Sequence, residues 1–221
     1  MSGFDHFPED TLPFLSDLKA NNTRDWFHAG KPRYEAALRE PGAAFAGAMA
    51  GALADLTGAD HRAKIYRIHR DVRFSKDKTP YNAYLHISFA PDGAGEDPPM
   101  WFFGLWPEKL TLGCGVFAFA GPRLEAFRTA MAGPDGARLI ALEADCTAAG
   151  LRLSDAHLKT VPRGYPRDHP HASALKRKGF SAWRDMASAG IVTEPGLVAA
   201  CRDAFEGMLP VWRFLAEVPA R

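Results

Sequence analysis

Cysteine is scarce in this sequence, and its three copies lie far apart. Cys114, Cys146 and Cys201 form no CxxC pair and no Cys/His spacing of the zinc-finger kind. The pattern therefore lacks the disulfide framework of small secreted proteins and predicts reduced thiols in a cytoplasmic protein.

Long apolar runs are also absent. The most apolar helical stretch, roughly residues 42–56, is shorter than the about 20 residues that a membrane-spanning helix needs. The opening residues, MSGFDHFPEDTLPF, are acidic and interrupted by proline, which does not fit a signal peptide. We therefore expect a soluble protein without a membrane partner.

The signatures of several well-marked enzyme classes are missing. The chain contains no GxSxG, HExxH, P-loop or dinucleotide-binding fingerprint, and no cofactor is predicted. His169 and His171 resemble a pair of metal ligands, but no third ligand stands at a useful spacing, so no metal site is predicted. The sequence does not exclude an enzyme of a less familiar class.

Positive charge is unevenly distributed in a chain whose net charge is only +1. The first basic segment, residues 62–78, holds seven Lys/Arg and two acidic residues, and the second basic segment, residues 152–178, holds the same numbers. The rest of the chain has 13 basic and 22 acidic residues. If the two segments meet in the fold, they concentrate a positive field at one place. If they do not, they are ordinary solvated stretches.

Helical patterns at both ends of the chain flank a β-rich middle. Leucines at three-residue spacing predict a helix near residues 8–19, and Pro41 is expected to kink or divide the helix after it. Aromatic and β-branched residues predict four strands, Ile65–Phe74, Tyr84–Phe89, Met100–Trp106 and Lys109–Phe119. The Pro107-Glu108 connection indicates an antiparallel hairpin between the last two of them.

Together these patterns predict a single α+β domain over residues 1–221, with a mostly antiparallel central sheet flanked by N-terminal and C-terminal helices. Residues 8–57 are expected to be helical, residues 64–119 mainly β, and residues 122–215 helical with added strands. The last predicted helix covers Pro195–Leu209. A chain of 221 residues suits one sizeable domain.

The predicted strand Ile65–Phe74 places one arginine, Arg70, on an otherwise apolar face, because side chains alternate along a strand. The apolar neighbours on that face are Tyr66, Ile68, Val72 and Phe74. The other face is mostly polar and includes Arg67, Asp71 and Arg73. A buried arginine is costly unless it is paired, and its planar guanidinium suits a carboxylate or a phosphate. The partner of Arg70 therefore decides what this segment does.

Three interpretations of the basic residues stay open. In the first, the protein binds a small anion bearing phosphate or carboxylate, through Arg67, Arg70, Arg73, Lys78, Tyr81 and, from the second segment, Lys178. If it is an enzyme, the candidate bases are Asp71 and His169. In the second, an exposed basic face with interleaved aromatic residues binds nucleic acid or an acidic partner. In the third, the role is structural, because acids such as Asp71 and Asp77 neutralise the arginines.

Gly113 and Gly115 leave one face of a predicted strand bare. Such a gap admits either a ligand or a close-packed neighbour, and packing of an aromatic side chain or a helix is the favoured interpretation. Cys114, on the opposite face, is more typical of a small core residue than of a nucleophile.

Several strings of this sequence resemble one family. They are NNTRDWF from residue 21, RDVRFSKDKTPY from residue 70, GCG from residue 113, VPRGYPRDHP from residue 161 and LKRKGF from residue 175. Together they resemble the bacterial domain-of-unknown-function family numbered 2461, over essentially the whole chain. The resemblance implies a soluble single-domain protein and supplies no activity, cofactor or catalytic residue. Asn82 departs from the pattern, because such sequences usually carry lysine there.

Overall fold

The computed structural model describes residues 4–188 and 190–218. The helices in this range are α1 (Thr11–Ala20), α2 (Arg24–Ala29), α3 (Lys31–Tyr34), α4 (Glu40–Thr57), α5 (Gly121–Ala132), α6 (Pro134–Ala148), α7 (Ala172–Leu175), α8 (Leu197–Glu206) and α9 (Leu209–Glu217). A π-helical segment, Glu35–Arg39, joins α3 to α4. None of the helices in the described residues combines the length and apolarity needed to cross a bilayer.

Six strands within the described residues form one antiparallel sheet. They are β1 (His61–Ile65), β2 (Leu85–Pro91), β3 (Met100–Leu105), β4 (Lys109–Val116), β5 (Arg152–Leu153) and β6 (Phe180–Ala187), in the spatial order β1-β2-β3-β4-β6-β5. The register of the first pair runs from His61 opposite Pro91 to Ile65 opposite Ile87. This arrangement confirms the predicted α+β fold with an antiparallel sheet.

The chain divides into two compact units. The first unit comprises Met1–Asp92, Phe102–Leu112 and Asp185–Asp203, and the second comprises Gly93–Trp101, Gly113–Arg184 and Ala204–Arg221. In the first unit Phe7, Phe45 and Phe103 are fully buried, and the last two rings lie 4.4 Å apart. In the second unit the buried Trp101 ring packs edge-on against Phe205 at 5.1 Å. The single-domain organisation stays a prediction.

Pro41 divides the N-terminal helical region, as the sequence predicts. In a regular α-helix the amide of residue 41 would bond to the carbonyl of Ala37, but proline has no N–H. The buried hydroxyl of Thr11 donates to that carbonyl instead, at 2.6 Å. The π-helical segment ends one residue before α4, whose first turn accommodates the proline ring. The proline is thus compatible with two helical segments joined at a widened turn.

The strand predicted over Ile65–Phe74 is wrong, because β1 begins at His61 and ends at Ile65. Beyond it, residues 66–84 form an irregular hairpin, which we call the arm. Among the described residues, the strand-like pairing within the arm consists of one isolated antiparallel bridge, between His69 and Tyr81. Pro80 has no amide to continue a ladder, so a longer regular pairing is not available at this point. The alternation of faces derived for a strand therefore does not apply to Arg70.

Gly113 of β4 accepts the close-packed ring of Trp183, which confirms the favoured interpretation for this glycine, whereas Gly115 packs against a neighbouring strand. A Cβ atom at position 113 would lie 2.2 Å from Cε3 of Trp183, and Gly115 has φ +148° and faces the backbone of β6. Cys114 between them is fully buried, and burial raises the pKa of its thiol well above the usual value. It is a core residue and a poor nucleophile.

The last helical region differs from its prediction. A helix was expected over Pro195–Leu209, but two helices, α8 and α9, occupy Leu197–Glu206 and Leu209–Glu217. Gly207 and Pro210 lie at their junction, where glycine and proline both disfavour a continuous helix.

Candidate functional site

The arm extends from the end of the β1–β2 pair in the first unit. The amide of Arg70 donates to the carbonyl of Pro80 at 2.8 Å, and the amide of Asn82 donates to the carbonyl of Ile68 at 2.7 Å. These bonds flank the His69–Tyr81 bridge and hold the two limbs of the arm together. Residues 68–70 of the first basic segment are therefore held against residues 80–82 by backbone hydrogen bonds.

A side chain from the helical region anchors the returning limb. Asn22 donates from Nδ2 to the carbonyl of Tyr81 at 2.9 Å and accepts from the amide of Tyr81 at 3.0 Å. This reciprocal pair uses both hydrogen-bonding groups of the amide, as a neighbouring strand would. The Tyr81 ring, only 3% exposed, stacks on Phe27 with the centroids 4.1 Å apart. Tyr81 therefore packs as a core residue, with its ring stacked on Phe27.

Arg70 has an internal partner. Its Nη1 donates to Oδ2 of Asp77 at 2.6 Å, to the carbonyl of Thr79 at 3.1 Å and to the Thr79 hydroxyl. The backbone amide of Thr79, the Arg70 guanidinium and the Thr79 hydroxyl lower the pKa of Asp77 to about 2. The carboxylate is therefore charged at neutral pH and partly neutralises Arg70.

Two further cations at the tip of the arm, Arg73 and Lys78, also have internal partners. Arg73 binds Asp71 through Nε and Nη2, at 2.9 Å and 2.7 Å. This hydrogen-bonded pairing lowers the pKa of Asp71, with a smaller contribution from the charge of Arg67. Lys78 donates from Nζ to the carbonyls of Val72 and Arg73, at 3.0 Å and 3.4 Å. The structural interpretation of these residues is thus partly supported.

A concavity of about 340 Å³, which we call the arm concavity, opens beside this network. Its lining residues are Tyr66, Arg67, His69, Arg70, Asp71, Asn82, Tyr84 and His86. The Arg67 guanidinium makes no hydrogen bond and no ion pair with the residues that the structure describes. Nε and Nη2 of Arg70 likewise have no hydrogen-bond acceptor within that part of the chain. Guanidinium groups with free donors therefore lie at this concavity.

Aromatic rings form the other part of its wall. His86 lies with its ring centroid 5.8 Å from Tyr66 and 5.3 Å from Tyr84. Trp106 packs behind them, 5.1 Å from Tyr84, over Gly104, where a Cβ atom would lie 2.5 Å from the indole. Burial lowers the pKa of His86 below its usual 6.5, so its imidazole is neutral at pH 7.

A second concavity, of about 390 Å³, adjoins the first. It shares Arg70, Asn82 and Tyr84 with the arm concavity. Its other lining residues are Lys19, Asn22, Thr79, Ala83 and the predicted site residue Tyr81, whose ligand role stays a prediction. Lys19 forms an exposed ion pair with Glu108 at 3.3 Å, which is easily exchanged because both groups are solvated. A ligand longer than one small group therefore has room on both sides of Arg70.

The predicted site residues are only partly brought together. Arg67 and Arg70 line the arm concavity, as does the candidate base Asp71, whereas Arg73 and Lys78 are engaged at the tip of the arm. The ligand roles proposed for all of them stay predictions. Five lining residues are absent from the predicted site, namely Tyr66, His69, Asn82, Tyr84 and His86. The available signal was the spacing of Tyr84 and His86 in the predicted strand Tyr84–Phe89, because residues two apart share a face.

Lys178 and the rest of the second basic segment belong to the second unit. The buried Arg177 donates to Glu143 at 2.5 Å and to the carbonyl of Ser154 at 2.7 Å, which gives it a structural role. The Lys178 amide donates to Nδ1 of His157 at 3.1 Å. The part of Lys178 in a ligand site stays a prediction.

His169 and His171 lie in a turn of the second unit. The amide of His171 donates to Nδ1 of His169 at 3.0 Å, and the rings are 5.4 Å apart. Within residues 4–188 and 190–218, no group of three or more His, Cys, Asp or Glu side chains is arranged to hold a metal ion. The role of His169 as a base stays a prediction.

A family model described as "Conserved hypothetical protein (DUF2461)" matches residues 10–214. No curated protein matches the chain. The matched range includes the whole arm and both basic segments.

Proposed function

The chain belongs to the DUF2461 family of conserved hypothetical proteins, and from that premise we propose that it binds a small organic anion in the arm concavity. The observation that carries the proposal is the free Arg67 guanidinium beside the partly used guanidinium of Arg70, on a wall that also carries aromatic rings. Family membership agrees with the resemblance of the RDVRFSKDKTPY string.

The anionic group of the ligand is a phosphate or a carboxylate. Three arginines of the arm, Arg67, Arg70 and Arg73, face two carboxylates, Asp71 and Asp77, and the arm therefore has a positive balance before Lys78 is counted. Free N–H groups of a guanidinium bind the paired oxygens of such anions in a planar fork. Asp71 also lines the concavity, but its charge is engaged by Arg73.

The organic part of the ligand is flat or apolar. Tyr66, Tyr84 and the neutral His86 supply ring surfaces, and Asn82 supplies a directional polar group. Pockets for small molecules commonly combine such surfaces with a few placed polar groups. The adjoining concavity gives room for an extension towards Lys19.

A catalytic role is a second possibility for the same site. Asp71 would serve as a base only weakly, because pairing with Arg73 lowers its pKa. His86 is neutral at pH 7 and can accept a proton through an unprotonated ring nitrogen. The guanidinium groups and ring surfaces of the concavity support binding directly, so binding alone is the function that we propose.

A cytoplasmic location belongs to this proposal. Cys114, Cys146 and Cys201 are free and buried, as expected for a protein kept in a reducing compartment. Small phosphorylated and carboxylated metabolites are the anions that such a protein would encounter.

The proposal is tested by anion-dependent thermal stabilisation. The parent and Arg67→Met are heated with inorganic phosphate, a nucleoside monophosphate and an aromatic carboxylate. At least one of the organic anions should raise the Tm of the parent. Arg67→Met should weaken binding of that anion at least about tenfold, because a charge-assisted hydrogen bond to the anion contributes about 1.5–3 kcal/mol.

Arg24→Met is the matched control, since Arg24 is an exposed arginine on α2 outside the concavity. The control should bind the anion like the parent. Equal binding by Arg67→Met and the parent, or no stabilisation of the parent by any anion of the panel, contradicts the proposal.

A further inference from the structure

Phe74 is the most exposed large apolar side chain of the described residues, at 95%. It stands at the tip of the arm, where apolar side chains of this size are normally covered. The tip is braced by the bonds from Lys78 to the carbonyls of Val72 and Arg73, and the amide of Ser75 donates to the Val72 carbonyl at 3.3 Å. The exposed ring is therefore presented by a held loop.

A second ring is partly exposed on the same basic segment. Tyr66 is 43% exposed, and Nζ of Lys64 lies 5.0 Å from its ring centroid. At the tip, Cζ of Arg73 lies 5.9 Å from the centroid of Phe74. Each exposed ring thus has a cation over or beside it, within cation–π distance.

Positive charge without a direct ion-pair partner lies on the same segment as these rings. Asp71 and Asp77 are engaged by Arg73 and Arg70. Among the described residues, the exposed cations of the first basic segment that form no direct ion pair with a carboxylate are Arg62, Lys64, Arg67, Lys76 and Lys78. A surface that carries exposed rings and unpaired cations is complementary to the bases and phosphates of a single strand.

We propose that the arm binds single-stranded nucleic acid, with a base stacked on Phe74 and phosphates on the neighbouring cations. Two aromatic rings separated by cations fit bases along a strand, because every base has a π face. An anionic membrane would favour a larger apolar tip, whereas Phe74 is flanked by Arg73 and Ser75. The acidic remainder of the chain limits contact to this segment.

This inference is independent of the small-anion proposal. Phe74 does not line the arm concavity, and Tyr66 and Arg67 are the points where the two surfaces meet. Substitution of Phe74 should therefore leave stabilisation by a small anion unchanged. Failure of one proposal is distinguishable from failure of the other.

Fluorescence anisotropy with a labelled oligo-deoxythymidine tests the inference. The parent should bind at micromolar concentrations in low salt and more weakly at 150 mM salt, because phosphate contacts release counterions. Phe74→Ala should bind at least about fivefold more weakly, since a stacked base contributes about 1–3 kcal/mol. Phe74→Trp, which keeps a ring, should retain the parent affinity.

The controls make every outcome decisive. Phe74 is almost fully exposed, so thermal melting of Phe74→Ala should match the parent. A duplex of the same length should bind more weakly, because its bases are already stacked on one another. The inference is overturned by absence of oligonucleotide binding, by equal affinities of Phe74→Ala and the parent, by equal affinity for the duplex, or by Phe74-dependent binding to phosphatidylglycerol vesicles without binding to the oligonucleotide.

Discussion

Arg70 and Asn22 show how single side chains hold the arm. Arg70 bonds to Asp77 and Thr79 across the arm, whereas Asn22 ties the returning limb to the helical region. The two roles differ in chemistry, because Arg70 keeps free donors at the concavity while Asn22 uses its whole amide on one backbone unit. The arm therefore depends on Asn22 for its position and on Arg70 for its charge.

Asn22→Asp is expected to lower the free energy of unfolding by about 1–3 kcal/mol, because a carboxylate cannot donate to the Tyr81 carbonyl and would face it unpaired. Urea denaturation measures the change. Asn21→Asp is the matched control, since the side-chain amide of Asn21 donates to the carbonyl of Asp17 in an exposed hydrogen bond. Equal losses in the two variants would show that the reciprocal pair does not anchor the arm.

Among the elements, the divided N-terminal helix shows how a side chain distant in sequence supplies the hydrogen bond that a proline cannot make. Pro41 predicts an interruption from the sequence, and the π-helical segment appears directly before α4. The hydroxyl that supplies the missing donor comes from Thr11, 26 residues away from Ala37. No spacing in the sequence could identify Thr11, because the contact depends on how α1 packs against the π-helical segment.

Thr11→Val should destabilise the protein by about 1–2 kcal/mol, because it removes the buried hydrogen bond to the Ala37 carbonyl while conserving side-chain volume. Thr11→Ser, which keeps the hydroxyl, should lose less of the free energy of unfolding than Thr11→Val. Chemical denaturation of both variants, with circular dichroism as the signal, separates the two effects. A Val variant as stable as the parent would mean that the Ala37 carbonyl needs no donor from Thr11.

At the scale of the whole molecule, stability should depend on pH in two separate windows. Burial lowers the pKa values of His61 and His86 below their usual 6.5, so the folded chain binds fewer protons than the unfolded chain there. The stability associated with these two neutral imidazoles is fully present above pH 6.5. It is lost as the pH falls from 6.5 towards the pKa values of the two histidines in the folded state. For Asp77, whose pKa is lowered from 3.8 to about 2, the corresponding loss lies below pH 3.8.

The free energy of unfolding should therefore decrease as pH falls from 7.5 to 5.5, and His61→Gln should reduce that slope. His61 is 8% exposed, its Nδ1 bonds to the Ala59 carbonyl at 2.7 Å, and its Nε2 is buried without a partner in the described part of the chain. Urea melts at pH 7.5, 6.5 and 5.5 measure the slope. His28→Gln, an exposed control, should keep the slope of the parent, and the same slope in His61→Gln would contradict this account.

The sequence by itself determined the α+β class, the helical ends, the strands Met100–Leu105 and Lys109–Val116 to within a few residues, and the close packing on Gly113. Each of these follows from local periodicity, turn residues or the volume of a side chain. The tertiary structure alone decided the partner of Arg70, the burial of Tyr81 and the place of Tyr84 and His86 beside Arg67. The physical reason is that residues 66–84 form an irregular arm. Its side-chain directions are set by contacts with Asn22 and, within the arm itself, with Asp77 and Thr79, and not by the period of a strand.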